Sequence, residues 1–267
     1  MFDEIPLQRS DGTAHIALQG GRIAALRQSG SAKVMLPRTH SAAPEIVFLN
    51  TSGGLTAGDR LDYGVQLGAG MRAGATTQTA ERAYRAEGGR ARARVTLELG
   101  PGASLTWLPQ ETILFDGSAL SRQTCVSLAA DAWYLGVETV VLGRAAMGET
   151  VTRLMLDDIR TIHRGGRLLL ADPFRLTDGS LSRAGGGALL GGARAVATLI
   201  LAAPGAQDAL ASVRAELDEP GVTGAASALD GRLVLRCLAP DAWPLRRQML
   251  RLIERLSPGA TPRCWQI

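Results

Sequence analysis

Hydrophobic and polar residues alternate with a period of two along most of the chain. The segment "RARVTLEL" (92–99) is the clearest case: Ala93, Val95, Leu97 and Leu99 face one way, and Arg92, Arg94, Thr96 and Glu98 the other. Successive strand side chains point to opposite sides, so this pattern predicts a half-buried strand. Similar strands are predicted at 14–19, 22–28, 45–50, 61–67, 104–108, 123–128, 133–142, 167–171, 195–202 and 232–238. Turn signals such as "QGGR", "GPGA", "FDGS" and "HRGGR" separate them.

A repeat overlies the alternation. The segments "VQLGAGMRAGATTQ" (65–78), "LELGPGASLTWLPQ" (97–110) and "VSLAADAWYLGVET" (126–139) each end a strand in leucine, turn on small residues, Asp or Pro, and start a new strand. The leucines are Leu67, Leu99 and Leu128, so the spacings are 32 and 29 residues. Recurrence at this period predicts stacked β-units, as in a β-solenoid or layered sandwich. Two helices are expected in the C-terminal third. One covers 207–221, with Leu210, Val213 and Leu217 on one stripe. The other covers 241–259, with Asp241 as N-cap, Leu245, Met249, Leu252 and Leu256 as its apolar stripe, and Pro258-Gly259 as its stop. The glycine-rich piece 182–195 reads as a loop. The fold class is therefore mainly β, and no composition break divides the chain, so 1–267 is taken as a single domain.

Composition narrows the function classes. Apolar residues are 46% of 267, enough for a sizeable core, while aromatics are only 4%, so aliphatic side chains must fill it. The net charge of +4 is carried almost wholly by arginine, with Lys33 the sole lysine. No Lys/Arg cluster with interleaved aromatics occurs, so no nucleic-acid partner is expected. Cys125, Cys237 and Cys264 are far apart and form neither a disulfide framework nor a zinc ribbon. No secretory signal and no long apolar run is read, so no membrane is expected and the predicted location is cytoplasmic.

The segment "NTSGGLTAGDRL" (50–61) looks at first like a phosphate loop. A Walker loop needs a lysine where this one has Asp59, and a carboxylate there repels phosphate. No G-x-S-x-G elbow is present, and His15, His40 and His163 are isolated in sequence. Nothing in the residues argues for an enzyme. The remaining signal is a set of acids beside apolar or glycine-rich turns: Asp59, Glu111, Asp116 and Glu149. Each must be solvated, paired with an arginine such as Arg60, Arg82 or Arg144, or coordinating a metal, because burying a bare charge is costly.

The blocks "TSGGLTAGDRL" (51–61), "ATTQTAERAYR" (75–85), "LPQETILFDG" (108–117), "LGRAAMGE" (142–149) and "PRCW" (262–265) occur in that order. Together they resemble the urease accessory protein UreD family, also called UreH, over nearly the whole chain. The resemblance implies a largely β fold with a helical arrangement of strands plus two helices. It implies a non-enzymatic maturation factor that assembles with UreF and the GTPase UreG on apo-urease. Nickel is then inserted into urease at the expense of GTP hydrolysed by UreG. No tightly bound cofactor is implied; nickel is in transit along an internal channel, and a dimer within the complex is expected. On matching positions, Asp59, Glu111, Asp116 and Glu149 become candidate carboxylates of the nickel path. The solenoid pattern alone also fits a scaffold for another metal-cofactor assembly system. The strand "LPQETILF" and the tail around Trp265 are candidates for either partner contact or core.

Overall fold

A computed structural model describes residues 9–39, 43–183, 185–186, 189–257 and 261–266. His40 and the Pro258-Gly259 stop lie outside them. The first strands are β1 (Asp11–Gln19), β2 (Arg22–Gly30), β3 (Ala32–Met35), β4 (Glu45–Asn50), β5 (Arg60–Leu67) and β6 (Arg72–Thr77). Then come β7 (Glu81–Ala83), β8 (Ala91–Leu99), β9 (Ser104–Trp107), β10 (Thr112–Leu114), β11 (Ser118–Leu128) and β12 (Trp133–Leu142). The last are β13 (Leu154–Arg164), β14 (Arg167–Thr177), β15 (Ala195–Ala202), β16 (Thr223–Leu229) and β17 (Arg232–Ala239). The helices are a single turn α1 (Asp178–Leu181), α2 (Leu210–Ala215) and α3 (Ala242–Leu256).

The strands form two facing sheets. Sheet A runs β14-β13-β11-β8-β5-β1-β2, and sheet B runs β16-β17-β15-β12-β9-β6-β4-β3, with β7 and β10 attached beside β12. The middle of each sheet is parallel: β1, β5, β8, β11 and β13 in A, and β4, β6, β9 and β12 in B. The chain therefore winds as a solenoid, one strand in A, a turn, then one in B. Antiparallel hairpins β1–β2 and β13–β14 close sheet A at its two ends.

The repeat read from sequence is this winding. Leu67 is in register with Leu99, and Leu99 with Leu128. After the turns, Arg72 aligns with Ser104 and Ser104 with Trp133. Equivalent leucines thus stack one strand spacing apart and fill one core between the sheets, together with Phe48, Leu105, Trp107 and Leu156. A second core lies outside sheet B, where Leu245, Met249, Leu252 and Ile253 of α3 pack on Leu199, Leu201, Leu233 and Leu235. Trp265 is buried in this second core, and its Nε1 donates to the Leu108 carbonyl at 2.8 Å. Leu108 and Leu114 are buried as well, so both candidate contact segments contribute to core packing.

Some expected boundaries shift. The helix expected over 207–221 is a 3₁₀ turn at Ala206–Ala209 followed by α2, which stops at Ala215. The following chain is held by α3 instead: Gln248 bonds the Glu216 carbonyl and the Glu219 amide, and Arg247 and Arg251 pair with the Glu219 carboxylate. The helix expected over 241–259 is α3, and Asp241 caps it by accepting from the Trp243 amide at 2.8 Å. Strands at 32–35, 81–83, 154–164 and 223–229 are additions to the sequence reading.

Candidate functional site

The glycine-rich loop 50–61 is a tight backbone crossing between neighbouring turns of the solenoid. Gly54 has φ +156°, and a Cβ there would lie 2.4 Å from the Tyr84 ring and 2.7 Å from the Arg82 carbonyl. That close approach lets Leu55 and Ala83 bridge in parallel, with the Leu55 amide donating to the Arg82 carbonyl at 2.7 Å. Gly58, at φ +86°, puts its amide on the Arg90 carbonyl at 3.1 Å. The freedom is needed for packing backbone on backbone.

Asp59 closes this loop. Its carboxylate accepts from the Ser10 amide at 2.8 Å and the Thr56 amide at 2.7 Å, and it is buried. Its partners are backbone amides, and no ion pair joins it to Arg60 among the described residues. Asp116 and Glu149 form a linked pair in another turn. Asp116 accepts from the amides of Thr152 (2.8 Å) and Arg153 (3.0 Å), and those bonds hold its carboxyl below the usual aspartate range. Glu149 accepts from the Arg144 side chain at 2.8 Å and from the Asp116 amide at 3.1 Å, which likewise lowers its pKa. Arg144 in turn lies over the Phe115 ring, 4.3 Å from its centroid. Glu111 is half-buried and separate from these, 3.5 Å from Arg246. Asp116 and Glu149 are thus brought together, while Asp59 and Glu111 stand apart.

A second set of charges lies in the interior between the sheets. Arg122 on β11 is in register with Asp158 on β13, and Thr124 with Arg160. Arg160 is in register with Asp172 on β14. Across the interior, sheet B presents the row Glu138, Thr198 and Arg236 on β12, β15 and β17. Asp158 is fully buried, and Arg122, Glu138, Arg160 and Asp172 are nearly so. Arg122 clamps Asp158 with two bonds, Nε to Oδ1 at 2.9 Å and Nη2 to Oδ2 at 2.6 Å, and donates to Thr112 Oγ1 at 3.0 Å. Burial alone would raise the Asp158 pKa, but the Arg122 guanidinium outweighs it and the net shift is downward. Glu138 accepts from Thr124 at 2.7 Å and from Trp107 Nε1 at 3.3 Å.

Arg160 is held differently. It lies 3.6 Å from Glu138, 3.4 Å from Asp158 and 3.0 Å from Asp172, yet its Nε and Nη2 make no well-formed hydrogen bond, nor do Glu138 Oε2 and Asp172 Oδ2. Asp172 also pairs with Arg236, whose side chain is half-exposed. Three acids therefore face two buried arginines, with a third arginine reaching in from the surface. Two of the sites read from sequence lie close in the chain to buried residues of β10 and β11. Glu111 adjoins Thr112, which touches Arg122. Asp116 is two residues before Ser118, whose buried hydroxyl has no partner and which lines a 530 Å³ pocket with Arg85 and Arg153.

The interior acids had a signal in the sequence. Leu120, Arg122, Thr124, Val126 and Leu128 alternate on the inward side of β11, and Leu154, Leu156, Asp158, Arg160 and Ile162 on that of β13. Charged residues at inward positions of a period-two pattern mark a polar lane. Their polarity also hid β13 from a reading that looked for apolar stripes. Among the described residues no group of three or more His, Cys, Asp and Glu is arranged to hold a metal ion, and the three cysteines are free thiols. No helix among them is long and apolar enough to cross a membrane.

Comparison with known proteins agrees with the motif blocks. The family model of the UreD urease accessory protein matches residues 11–266. A urease accessory protein UreD of Cereibacter sphaeroides is 57% identical over 97% of this chain and 96% of its own length. That of Paracoccus denitrificans is 55% identical over 100% and 97%, and one from Rhizobium leguminosarum 45% over 97% and 96%. The motif blocks, the solenoid winding and these matches agree, and the chain belongs to the UreD urease accessory protein family.

Proposed function

We propose that this chain is a non-catalytic scaffold that works with UreF and the GTPase UreG on apo-urease in the cytoplasm, guiding nickel into the urease active site. The family match across residues 11–266 carries this reading. The lack of a phosphate loop supports it, because a chain in a GTP-driven process that has no nucleotide site of its own takes hydrolysis from a partner. The interior lane supports a route for nickel. Carboxylate oxygens bind nickel more loosely than a His/Cys cage, which suits an ion that must leave again. In this reading Glu138, Asp158 and Asp172 form the inner stretch, and Asp59, Glu111, Asp116 and Glu149 are candidate carboxylates outside it. In the resting state the arginines occupy the inner carboxylates, so nickel is held only by displacing one, and Arg160, with its poorer geometry, is the one to move.

The test is to express urease with UreF, UreG and this chain, and to measure nickel per urease active site. The expected outcome is loss of most nickel when this chain is omitted, and again when UreG is replaced by a form unable to hydrolyse GTP. Full loading without the chain would refute the proposal.

A further inference from the structure

The interior lane crosses the strands from β11 and β12 toward β14 and β17, and its two ends differ. The inner end stops at Trp107, which is buried, donates to Glu138 Oε1 and packs edge-on against buried Phe48. The outer end passes Arg160 and Asp172 to Arg236 on β17, beside β14, the last strand of sheet A. Leu170 and Phe174 flank Asp172 at alternate positions of β14, and Val234 and Leu238 flank Arg236; all four are partly buried against the main core. The Arg236 side chain is 47% exposed, while those of Arg122 and Arg160 are buried. The two buried arginines use their donors unequally. Arg122 grips Asp158 side-on through Nε and Nη2. The same two nitrogens of Arg160 form no hydrogen bond among the described residues, although Nε lies 3.0 Å from Asp172 Oδ2. Asp172 Oδ1 is taken by Arg236 Nη2, and Oδ2 accepts no bond. A side-on fork needs both oxygens of a carboxylate, so with Arg236 in place Arg160 cannot make on Asp172 the grip that Arg122 makes on Asp158.

We infer that Arg236 is the latch of the lane: bound to Asp172 it keeps Arg160 spread over three acids, and its withdrawal into water lets Arg160 close on both oxygens of Asp172 and uncover one side of Glu138. The inference rests on the nickel route proposed above and adds its entrance and its control. Arg236 can leave because its side chain already reaches solvent. Arg160 then exchanges three poor contacts for two formed bonds, which satisfies its Nε and Nη2 and Asp172 Oδ2 together, groups that are costly to bury unpaired. Its Nη1, 3.6 Å from Glu138 Oε2, moves away, while Arg122, fixed on Asp158, stays 3.3 Å from that oxygen. The two positive groups also disfavour each other: burial, and then the charge of Arg160, lower the Arg236 pKa. Two discrete arrangements of one set of charges are what a switch requires.

The test follows free Ni²⁺ to the inner end of the lane. Trp107 Nε1 lies 3.3 Å from Glu138 Oε1, so an ion that reaches this carboxylate quenches Trp107 fluorescence. Stopped-flow quenching of the full chain is measured with the Trp107→Phe chain as background, and thermal melts confirm folding. Arg236→Met should speed quenching about tenfold or more. Arg236→Lys should stay near the wild type, because the contact with Asp172 uses one nitrogen that a lysine can replace. Asp172→Asn, alone or combined with Arg236→Met, should give no acceleration, because it takes away the carboxylate on which Arg160 would close. Equal rates for the wild type and a folded Arg236→Met chain, or quenching in neither, overturn the latch. A combined variant as fast as Arg236→Met also overturns it, since the lane would then open by loss of bulk alone. Nickel loading of urease by the wild-type chain with UreF and UreG, measured alongside, separates the two ideas. Normal loading without acceleration leaves the maturation reading standing and removes the latch; no gain in loading from the wild-type chain removes the maturation reading itself.

Discussion

Two groups of carboxylates in this fold do opposite kinds of work. At the turns, Asp59 and Asp116 accept mainly from backbone amides, and Glu149 from the Arg144 side chain and two amides. Their bonds fix where one turn of the solenoid crosses the next. In the interior, Glu138 meets Arg160 and Thr124 across the gap between the sheets, while Asp158 and Asp172 pair with Arg122 and Arg160 on neighbouring strands of their own sheet. A turn acid is local and backbone-bound, so it is replaceable by whatever closes the turn. An interior acid belongs to a network in which removing one member strands another charge. An acid beside glycines therefore says less about function than an acid at an inward strand position.

Substitutions can break this comparison. Asp158→Ala has the largest expected effect, because it leaves Arg122 buried without its main partner. The cost of such a change is about 3–5 kcal/mol, seen as a fall of about 10 °C in Tm. Replacing both partners, Arg122→Met with Asp158→Leu, should restore much of that stability, since the two charges that lose a partner, Glu138 and Arg160, still face each other at 3.6 Å. A double variant as unstable as the single one would mean that the pair is not the source of the loss. Next comes Asp59→Ala, which removes the acceptor for two amides and should cost about 2 kcal/mol, with Asp59→Asn recovering part of it in denaturant titration. Gly54→Ala follows at about 1–3 kcal/mol, because the added methyl must push against Tyr84 and the Arg82 carbonyl.

The smallest effect is acidic pH acting on Asp116 and Glu149. Their folded pKa values lie below the ordinary 3.8 and 4.5. Their contribution is therefore fully present above those values and is lost as pH falls through the depressed ones. Stability should decline with falling pH below about 4.5, and the decline should shrink in the combined Asp116→Asn, Glu149→Gln variant. An unchanged slope would show that these turns do not depend on their charge.

Much of the winding was legible in the chain. The Leu67, Leu99 and Leu128 repeat maps onto register partners because each solenoid turn must place a leucine at the same corner of the core. The alternation of 92–99 maps onto β8 without change, since one face meets the core and the other water. β13 was not legible, as Asp158 and Arg160 interrupt its inward stripe and only a partner strand reveals that they are paired. The short end of α2 was hidden for a similar reason: residues 216–219 have helix-compatible chemistry, but α3 claims them through Gln248, Arg247 and Arg251. Of the candidate acids, sequence found those beside glycines and missed those inside strands, because turn composition is a local signal and the facing of two sheets is not.

If the interior lane conducts nickel to urease as proposed, its inner carboxylates set how much metal arrives. The most direct measurement is nickel per urease active site, by elemental analysis, after maturation with the Glu138→Gln chain. Gln keeps the size of Glu138 and can still accept from Thr124 while removing the charge. The expected result is much lower nickel loading with the complex of this chain, UreF, UreG and apo-urease still assembled. Normal loading by a folded, complex-forming Glu138→Gln chain would contradict it.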